Sequence, residues 1–443
     1  MSKFVDRTPK ESRAGVVIPW FHPADKPSAT RLEETSGLVR ALGCDPAFIR
    51  LEHVRRVLPS HLVPKGILDR ISDDLQANDC NLFVVDGSLS PVQQRNLERR
   101  LNVKVIDRTG LILEIFGLRA RTKEGKLQVE LARLLYERSR LVRTWTHLER
   151  QRGGRGFLSG PGESQLEADK RMIDRTLKGL RADLDDVRRT RRLQRRGRSR
   201  SGVPVIAFVG YTNAGKSTLF NVLSGATVLA KDMPFATLDP TIRRLDLPGI
   251  GDTALVDTVG FITDLPTHLI ESFQATLEEA MEADLLIHVR DRSSEDDLQQ
   301  KQDVEGVLEA LQEQTEQSLP PLIEAWNKVD LLPEDDRAKL DASTINGTPV
   351  PSVLISALSG EGVDELVELI VKQLRVSAVT AHVTLEPDQG AARSWLHEWS
   401  HVEREEIAED TGHISLHVSF SLSELGRFQT TFPHIAMDTA DPG

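Results

Sequence analysis

The sequence predicts a multidomain α/β fold, and three observations support this class. Apolar runs typical of buried strands alternate with helix-like segments in the first 120 residues and again after residue 203. A 3.5-residue repeat of apolar positions separates these regions, and a glycine-rich loop follows the first apolar run of the second region. We expect an N-terminal α/β domain at 1–120, a basic helical hairpin at 121–200, a larger α/β domain at 201–375 and a small α/β domain at 376–443.

The composition is that of a chain with several globular domains. A length of 443 residues exceeds what one core holds, and 39% hydrophobic with 28% charged residues is ordinary for soluble proteins. No apolar run approaches the roughly 18 residues that span a bilayer, and the N-terminus lacks an apolar signal segment. Cys44 and Cys80 give neither a disulfide framework nor a zinc-binding spacing, so a cytoplasmic protein without thiolate-bound metal is expected.

Charge is distributed unevenly between the two halves of the chain. Residues 1–200 contain 41 Lys and Arg against 26 Asp and Glu, a net charge of +15. Residues 201–443 contain 15 against 41, a net charge of −26. Such asymmetry indicates an anionic partner for the basic half, either nucleic acid or an acidic membrane surface.

The N-terminal half combines three predicted strands with two long helices. The strands are expected at 15–18, 82–85 and 103–107. Two heptad patterns follow, and their spacing predicts helices that pack against each other. The a and d positions are Leu127, Leu131, Leu134, Leu141, Trp145 and Leu148 in the first helix, and Leu166, Ile173, Leu177, Leu180, Leu184 and Val187 in the second.

The tip of this hairpin and the end of its second helix have unusual compositions. Residues 153–162 hold five glycines and a proline, which forbid a continuous helix and favour a mobile tip. A second phosphate cradle there has weak support, since no Lys-Ser/Thr pair follows the glycines. The second helix ends in an arginine cluster that is either a solvated linker or a contact with phosphates, and the basic half favours RNA. Its members are Arg188, Arg189, Arg191, Arg192, Arg195, Arg196, Arg198 and Arg200.

A phosphate-binding loop opens the second α/β region. The apolar run 205–209 is followed by Gly210-Tyr-Thr-Asn-Ala-Gly215-Lys216-Ser217-Thr218. In this pattern backbone N–H groups wrap the phosphates at the N-terminus of the next helix. Lys216 is expected to reach the β- and γ-phosphates, and Ser217 to ligate Mg²⁺. The loop predicts a nucleotide without identifying the base.

The base is predicted to be guanine. Asn327-Lys328-Val329-Asp330 follows the apolar run 322–326. The Asp330 carboxylate can accept hydrogen bonds from N1–H and the N2 amine of guanine, whereas adenine offers an acceptor at that N1 position. Ser356-Ala357-Leu358 follows the apolar run 353–355 and is expected to support the base and to brace Asp330. GTP is therefore preferred to ATP.

Two further stretches are expected at the γ-phosphate. Asp257-Thr-Val-Gly260 follows a predicted strand, so that Asp257 would hold the Mg²⁺ shell through water while the Gly260 N–H meets the γ-phosphate. Thr237, in Phe235-Ala-Thr-Leu-Asp239, is expected to close on Mg²⁺ as a switch loop does, with Thr241 as the alternative.

The predicted nucleotide site combines all four stretches. Its catalytic members are Lys216, Thr237 and Gly260. The expected contacts with the nucleotide are Gly210, Tyr211, Thr212, Asn213, Ala214, Gly215, Lys216, Ser217, Thr218, Phe235, Ala236, Thr237, Leu238, Asp239, Asp257, Thr258, Val259, Gly260, Asn327, Lys328, Asp330, Ser356, Ala357 and Leu358.

These motifs together resemble one family. The stretches that start at Gly210, Phe235 and Asp257, the last read as Asp-Thr-Val-Gly-Phe261, are similar to those of the HflX family of ribosome-associated GTPases. The resemblance extends over nearly the whole chain, through Asp107-Arg-Thr-Gly-Leu-Ile-Leu113, Arg119-Ala-Arg-Thr122 and Gly160-Pro-Gly-Glu-Ser-Gln-Leu-Glu167. The chain departs from it at Val289-Arg290-Asp291, where a more apolar strand end is expected.

The resemblance implies a fold, an activity and a partner. The fold would be a P-loop GTPase domain, an N-terminal α/β domain carrying a long helical hairpin, and a small C-terminal α/β domain. The partner would be the large ribosomal subunit and its ribosomal RNA, with the hairpin tip reaching toward the peptidyl-transferase centre. The activity would be GTP-dependent splitting of stalled or stress-inactivated ribosomes.

Two residues bear on the rate of hydrolysis. Many GTPases orient the attacking water with a glutamine just after the Asp-x-x-Gly turn, and Phe261 occupies that position. Slow intrinsic hydrolysis, stimulated by the ribosome, is therefore expected. Asn213 matches the position at which potassium-dependent GTPases hold a monovalent cation, so K⁺ is a second predicted cofactor beside Mg²⁺. The alternative is an asparagine that only shapes the loop.

The segment after residue 375 is predicted to be a small α/β unit that helps docking. Strands at 381–385 and 414–420 flank a helix-like stretch at 395–409. His382, His397, His401, His413 and His417 suggest a metal, and His397 and His401 would share a helical face. No carboxylate is arranged as in His-Glu-x-x-His, so a surface or structural role is expected.

Two functions remain open on the sequence. The first is a GTPase that dissociates ribosomes, and the second is a GTP-gated factor that occupies the large subunit during assembly or storage without splitting. Both are expected of a monomer that binds GTP and GDP and has neither a DNA partner nor an integral membrane association. A signalling GTPase is disfavoured, because the basic half would have no role and no lipidation signal is present.

Overall fold

Three β-sheets organise the chain, and each is built from its own stretch of sequence. The computed structural model describes residues 12–23, 26–151, 161–200, 203–225, 234–235, 237, 241–263, 280–315, 318–337, 340, 350–376, 379–408, 412–420 and 422–439. The first two sheets alternate parallel strands with helices, and the third is antiparallel. The predicted α/β class is therefore confirmed.

The N-terminal sheet has four parallel strands in the order β2-β1-β3-β4. Because the order changes direction between β1 and β3, their carboxyl ends border the crevice where open α/β sheets carry functional groups. Asp86 directly follows β3 at this edge. The elements are β1 (Ser12–Trp20), α1 (Ala29–Ala41), β2 (Cys44–His53), α2 (Lys65–Ala77), β3 (Leu82–Val85), α3 (Pro91–Leu101), β4 (Lys104–Asp107) and α4 (Arg108–Arg119).

Two long helices, α5 (Lys123–Gln151) and α6 (Pro161–Arg200), form the predicted hairpin. Four of the leucines in the heptad pattern are buried between them, which fits the 3.5-residue spacing. Residues 152–160, with most of the predicted tip, lie outside the described residues. Neither these helices nor any other in the described ranges is long and apolar enough to cross a membrane. The four leucines are Leu131, Leu177, Leu180 and Leu184.

The base of the hairpin is attached to the N-terminal sheet through Asp107. One oxygen of this carboxylate accepts from the Gly110 N–H at 2.8 Å, capping α4, and from the Tyr136 hydroxyl of α5 at 2.7 Å. Burial, reinforced by the Asp107 carboxylate, raises the pKa of Tyr136 well above its ordinary value, so the hydroxyl remains a donor.

The second sheet has six strands in the order β10-β9-β8-β5-β7-β6, of which only β6 is antiparallel to its neighbour. The central strands are the apolar runs of the sequence, because both faces of a parallel sheet are covered by helices. The elements are β5 (Val205–Gly210), α7 (Lys216–Leu223), β6 (Thr241–Leu247), β7 (Gly251–Asp257), β8 (Leu285–Asp291), α8 (Asp297–Thr315), β9 (Leu322–Asn327), a 3₁₀ turn (Val329–Leu331), β10 (Ser352–Leu354) and α9 (Val363–Val376).

Arg290, at the end of β8, occupies a position where an apolar residue is expected. Its guanidinium is buried and donates to both carboxylate oxygens of Asp297, at 3.1 and 2.5 Å, and to Glu324 at 2.6 Å. The Trp326 ring lies 5.6 Å from the guanidinium carbon. A buried charge is tolerated when it is paired in this way, so the polar strand end leaves the sheet intact.

The C-terminal sheet is antiparallel, with the order β12-β13-β11-β14. The predicted helix at 395–409 is wrong after Trp399, because residues from His401 onward pair with β13 as an edge strand. His397 and His401 therefore share no helical face, and the His397 Nε2 lies 2.6 Å from Glu405 Oε2. The elements are β11 (Val379–Leu385), α10 (Gly390–Trp399), β12 (His401–Ile407), β13 (Ile414–Phe420), α11 (Leu422–Thr431) and β14 (Met437–Thr439).

Candidate nucleotide-binding site

A tight loop connects β5 to α7, and two glycines make it possible. Gly210 has φ +146°, and a Cβ there would lie 2.3 Å from the Val289 carbonyl oxygen. Gly215 has φ +97°, and a Cβ there would lie 2.1 Å from Asn327 Nδ2. Both positions combine a left-handed backbone with a close neighbour, so only glycine fits. The backbone can therefore fold round the N-terminus of α7, as phosphate binding requires.

Lys216 is the first residue of α7, and its side chain turns back over the loop. The Nζ donates to the carbonyl oxygens of Gly210, at 2.9 Å, and Tyr211, at 2.7 Å. Burial lowers the pKa of Lys216 to about 8, and the Asp257 carboxylate only partly offsets this effect. A buried ammonium held by two carbonyls is placed where it can exchange them for anionic phosphate oxygens.

Three oxygen-bearing side chains converge next to the lysine. Ser217 Oγ and Thr237 Oγ1 each donate to Asp257 Oδ2 at 2.7 Å, and they lie 3.0 Å from each other. Asp257 Oδ1 is buried and has no hydrogen-bond partner among the described residues. Burial raises the pKa of Asp257, against the two hydroxyl donors. This oxygen set fits Mg²⁺, which prefers hard oxygen ligands, and the unpaired Asp257 oxygen is available to a water of its shell.

The same cluster distinguishes the two threonines that the sequence left open. Thr237 is within hydrogen-bonding distance of Asp257, whereas Thr241 is the exposed first residue of β6. Of the surrounding stretch, Ala236, Leu238 and Asp239 lie outside the described residues.

The segment after Asp257 is bonded directly to the phosphate loop. The Phe261 N–H donates to the Gly210 carbonyl at 3.1 Å, and the Thr212 N–H donates to the Phe261 carbonyl at 2.6 Å. A Cβ at Gly260 would lie 3.0 Å from Lys216 Nζ and would press on Thr212. Gly260 is thus beside the lysine that is expected to reach the phosphates, and the Phe261 side chain is buried, 3% exposed.

Asn327 joins two loops of the site. Its Nδ2 donates to the Ala214 carbonyl at 2.8 Å, and its Oδ1 accepts from the Ala357 N–H at 2.9 Å. The Ala357 N–H, from which support of the base was expected, therefore donates to Asn327 in this structure. Both bonds are buried, so they rigidly connect the phosphate loop to the turn after β10.

Lys328 and Asp330 lie on the accessible side of the same turn. Lys328 adopts a left-handed backbone, φ +64°, and its Nζ lies 2.7 Å from Asp291 Oδ2. Asp330 is exposed on the 3₁₀ turn, where its carboxylate is free to meet a base. Ser356 is buried and its hydroxyl accepts from the Ser359 N–H at 3.2 Å, so it braces its own turn and not Asp330. Leu358 is 84% exposed beside it.

Two predicted nucleotide contacts direct their side chains elsewhere. The Tyr211 hydroxyl donates to Glu34 of α1 at 2.7 Å, and the Phe235 ring packs edge-to-face on Phe116 of α4, with centroids 4.6 Å apart. Both side chains are buried against the N-terminal domain, so a contact of either residue with the nucleotide would have to come from its backbone. No motif of the sequence pointed to Glu34, although Phe116 lies just beyond the Asp107–Leu113 motif.

The remaining predicted contacts shape the loops. Asn213 is exposed with a left-handed backbone, φ +62°, which asparagine tolerates well. Thr258 is buried, and its hydroxyl donates to the Phe208 carbonyl at 2.5 Å. Val259 is buried next to it, and Thr218 lies on the first turn of α7.

A strand–loop–helix phosphate cradle, an oxygen cluster beside its lysine and an exposed aspartate after a neighbouring strand define a P-loop protein of the GTPase class. Family models match four parts of the chain: "GTP-binding GTPase N-terminal" at 29–117, "GTP-binding GTPase Middle Region" at 119–198, "50S ribosome-binding GTPase" at 205–328 and "HflX C-terminal domain" at 346–434.

Curated relatives agree with these matches over most of the chain. GTPase HflX of Magnetococcus marinus is 43% identical over 400 residues, which cover 90% of each chain. GTPase HflX of Escherichia coli is 41% identical over 396 residues, covering 89% of this chain and 91% of that one. The chain belongs to the HflX family of GTPases and hydrolyses GTP, as the resemblance of its motifs predicts.

A solved structure is also similar to this chain. A GTP-binding protein from the hyperthermophilic archaeon Sulfolobus solfataricus, in complex with GDP, is 25% identical, with a TM-score of 0.45. The match covers 82% of this chain and 98% of that one.

Proposed function

We propose that this GTPase binds the large ribosomal subunit and uses GTP binding and hydrolysis to dissociate stalled or stress-inactivated ribosomes. The observation that carries the proposal is the basic α5–α6 hairpin attached to a GTPase domain. The description of the family matched at 205–328, a 50S ribosome-binding GTPase, supports the same partner.

The hairpin has the dimensions and charge for a contact with ribosomal RNA. Helix α6 contains 40 residues, about 60 Å of helix at the usual rise per residue. Arg171 and Arg189 expose 73% and 79% of their side chains, and the arginine cluster 188–200 continues the same helix. A rod with exposed guanidinium groups suits a surface lined by phosphates.

Each group of the phosphate site has a role in the proposed hydrolysis. Lys216 would exchange its two carbonyl partners for the β- and γ-phosphates, and the Gly260 N–H would donate to the γ-phosphate. Ser217 and Thr237 would hold Mg²⁺ directly, and Asp257 through water. When bound, the metal would neutralise part of the negative charge that develops on the phosphates in the transition state.

The ribosome is proposed to stimulate hydrolysis because the position that holds a water-orienting glutamine in many GTPases is occupied by Phe261. The side chain of Phe261 is buried. Turnover of GTP by the purified chain, with and without large subunits, measures the effect. Subunits should accelerate turnover, and equal rates would contradict the proposal.

Light scattering of intact ribosomes tests dissociation itself. The signal should fall when the protein is added with GTP or a non-hydrolysable analogue. An unchanged signal with clear binding to large subunits would favour the assembly or storage factor instead. Glutamine at Arg188, Arg189, Arg191 and Arg192 should weaken binding and reduce its salt dependence.

A matched control changes four arginines of the acidic half, each with more than a third of its side chain exposed, to glutamine. The same loss of charge there should leave subunit binding and its salt dependence unchanged, since the proposal places the RNA contact on the hairpin. The control positions are Arg244, Arg337, Arg393 and Arg404.

Asn213 is proposed to hold K⁺ beside the phosphates. It is exposed on the phosphate loop, in a backbone conformation that also fits a purely loop-shaping role. Hydrolysis should be faster in KCl than in NaCl, and the difference should disappear in Asn213→Ala. Equal rates of the unmodified chain in the two salts would favour the loop-shaping role.

A further inference from the structure

The N-terminal domain contacts all three loops that surround the phosphate site. Its contacts are with Tyr211 of the phosphate loop, with Phe235, two residues before Thr237, and with Thr263, three residues after Gly260. Thr237 and Gly260 are the two residues expected to sense the γ-phosphate. The N-terminal domain thus touches the chain immediately beside each sensor.

A buried polar contact joins the phosphate loop to the segment after Gly260. The Tyr211 hydroxyl donates to Glu34 Oε2 at 2.7 Å and accepts from the Thr263 N–H. Arg108 Nη2 donates to the Thr263 carbonyl at 3.0 Å and is paired with Glu34. The side chains of Arg108 and Glu34 are 5% and 9% exposed, so water does not compete for these bonds.

Asp86 fixes Arg108 in this position. Its two oxygens accept from Arg108 Nη1 and from Arg31 Nε, each at 2.7 Å. Burial alone would raise the pKa of Asp86, but the two guanidinium groups outweigh it and hold the pKa below its ordinary value. The carboxylate therefore stays charged and anchors the arginine at the crevice between β1 and β3.

An apolar contact holds the loop that carries Thr237. Phe235 is 2% exposed, has a left-handed backbone (φ +55°) and packs edge-to-face on Phe116. Pro234 packs against α1 at Gly37, where an added Cβ would lie 3.1 Å from the proline Cγ. In the arrangement stabilised by these contacts, the Thr237 hydroxyl reaches Asp257 and Ser217.

We propose that Glu34, Arg108 and Phe116 are positioning residues of the GTPase, which hold the loops of Thr237 and Gly260 in the arrangement that receives the γ-phosphate and Mg²⁺. GDP offers no γ-phosphate to these two sensors. The contacts of the N-terminal domain therefore favour GTP over GDP, and by linkage GTP strengthens the docking of the N-terminal domain. The inference requires the GTPase activity and is independent of ribosome binding.

Tyr211→Phe removes one hydroxyl from the contact and gives the sharpest test. Titration with a non-hydrolysable GTP analogue and with GDP, both in MgCl₂, yields the ratio of the two dissociation constants. The analogue should bind about fivefold more weakly, the equivalent of one buried hydrogen bond, while GDP affinity stays within about twofold. Retained GDP binding also reports that the nucleotide domain is folded.

Tyr136→Phe is the matched control. Tyr136 also donates a 2.7 Å hydrogen bond to a carboxylate, that of Asp107, but this bond joins the hairpin to the N-terminal sheet and involves no loop of the phosphate site. Its loss should leave the ratio unchanged. An equal weakening of both nucleotides by Tyr211→Phe, no weakening of either, or the same change of ratio in Tyr136→Phe would each overturn the proposal.

Two further variants keep the test independent of a single substitution. Glu34→Gln neutralises the carboxylate that accepts from the Tyr211 hydroxyl. In a double-mutant cycle with Tyr211→Phe, the effects of the two substitutions on the preference for the GTP analogue should be non-additive. Phe116→Leu removes the ring that packs on Phe235 and should lower the preference for the GTP analogue over GDP by a similar factor. Additive effects, or a normal preference in Phe116→Leu, would contradict a shared positioning role.

The reciprocal effect is measurable by hydrogen exchange on the full chain. The GTP analogue, and not GDP, should slow amide exchange in α1 and α4, the helices that carry the positioning residues. In Tyr211→Phe this difference between the nucleotides should shrink. Equal protection of the two helices by both nucleotides in the unmodified chain would overturn the linkage.

Discussion

The side-chain amide of Asn327 donates a 2.8 Å hydrogen bond to the backbone carbonyl of Ala214. The same side chain accepts from the Ala357 N–H at 2.9 Å, so the end of β9 connects the phosphate loop with the turn after β10. One asparagine therefore aligns the part of the site that binds phosphates with the part that meets the base.

Asn327→Ala should weaken GTP and GDP equally, because both nucleotides use both loops. Two buried hydrogen bonds together contribute about 2 kcal/mol, so dissociation constants should rise about 30-fold. Titration with both nucleotides measures the change. Asn96→Ala on α3 serves as the control and should bind normally, and a loss confined to GTP would contradict the alignment role.

Asp330→Asn should change the preference for the base. The amide can donate to the oxygen that xanthine carries in place of the guanine amine, so xanthosine nucleotides should gain affinity while GTP loses it. Competition between the two triphosphates gives the result. Asp291→Asn makes the same substitution at the partner of Lys328, and there the base preference should stay with guanine.

Phe261→Gln should fail to speed hydrolysis, although it restores the residue type that many GTPases use. Backbone bonds to Gly210 and Thr212 hold this segment with its side chain in the core. A buried amide there should destabilise the nucleotide domain by about 3 kcal/mol. Single-turnover rates and thermal melts test both statements.

The control for that variant is Phe21→Gln, since Phe21 is 39% exposed. It should leave both the melting temperature and the rate nearly unchanged. Faster hydrolysis in Phe261→Gln would contradict the buried geometry.

Leu177→Ala should loosen the hairpin and leave nucleotide binding unchanged. Leu177 is 3% exposed between α5 and α6, so its truncation leaves a cavity that typically destabilises by about 3 kcal/mol. Hydrogen exchange of α5 and α6 reports the loss. Met172→Ala on the same helix, where the side chain is 62% exposed, should have little effect. Weaker GDP binding in Leu177→Ala would contradict the prediction, because it would couple the hairpin to the nucleotide site.

Several elements of the fold could be predicted because their signal is local. The apolar runs of β3 and β5 and the heptads of α5 and α6 lie in continuous sequence. Strand β2 was not predicted, since Pro46 lies inside it and most of its residues are only half-buried. The sequence of strand β12 predicts a helix because an edge strand tolerates the charged residues that also suit a helix.

The sequence by itself determined the family and predicted the phosphate loop and an aspartate that reads guanine, because each rests on a contiguous motif. Only the tertiary structure brought Thr237, and not Thr241, to Asp257, joined Asn327 to two loops and turned Tyr211 and Phe235 toward the N-terminal domain. Those outcomes depend on partners more than 100 residues away for Asn327, Tyr211 and Phe235. Packing brings such partners together, and no local pattern encodes their distance.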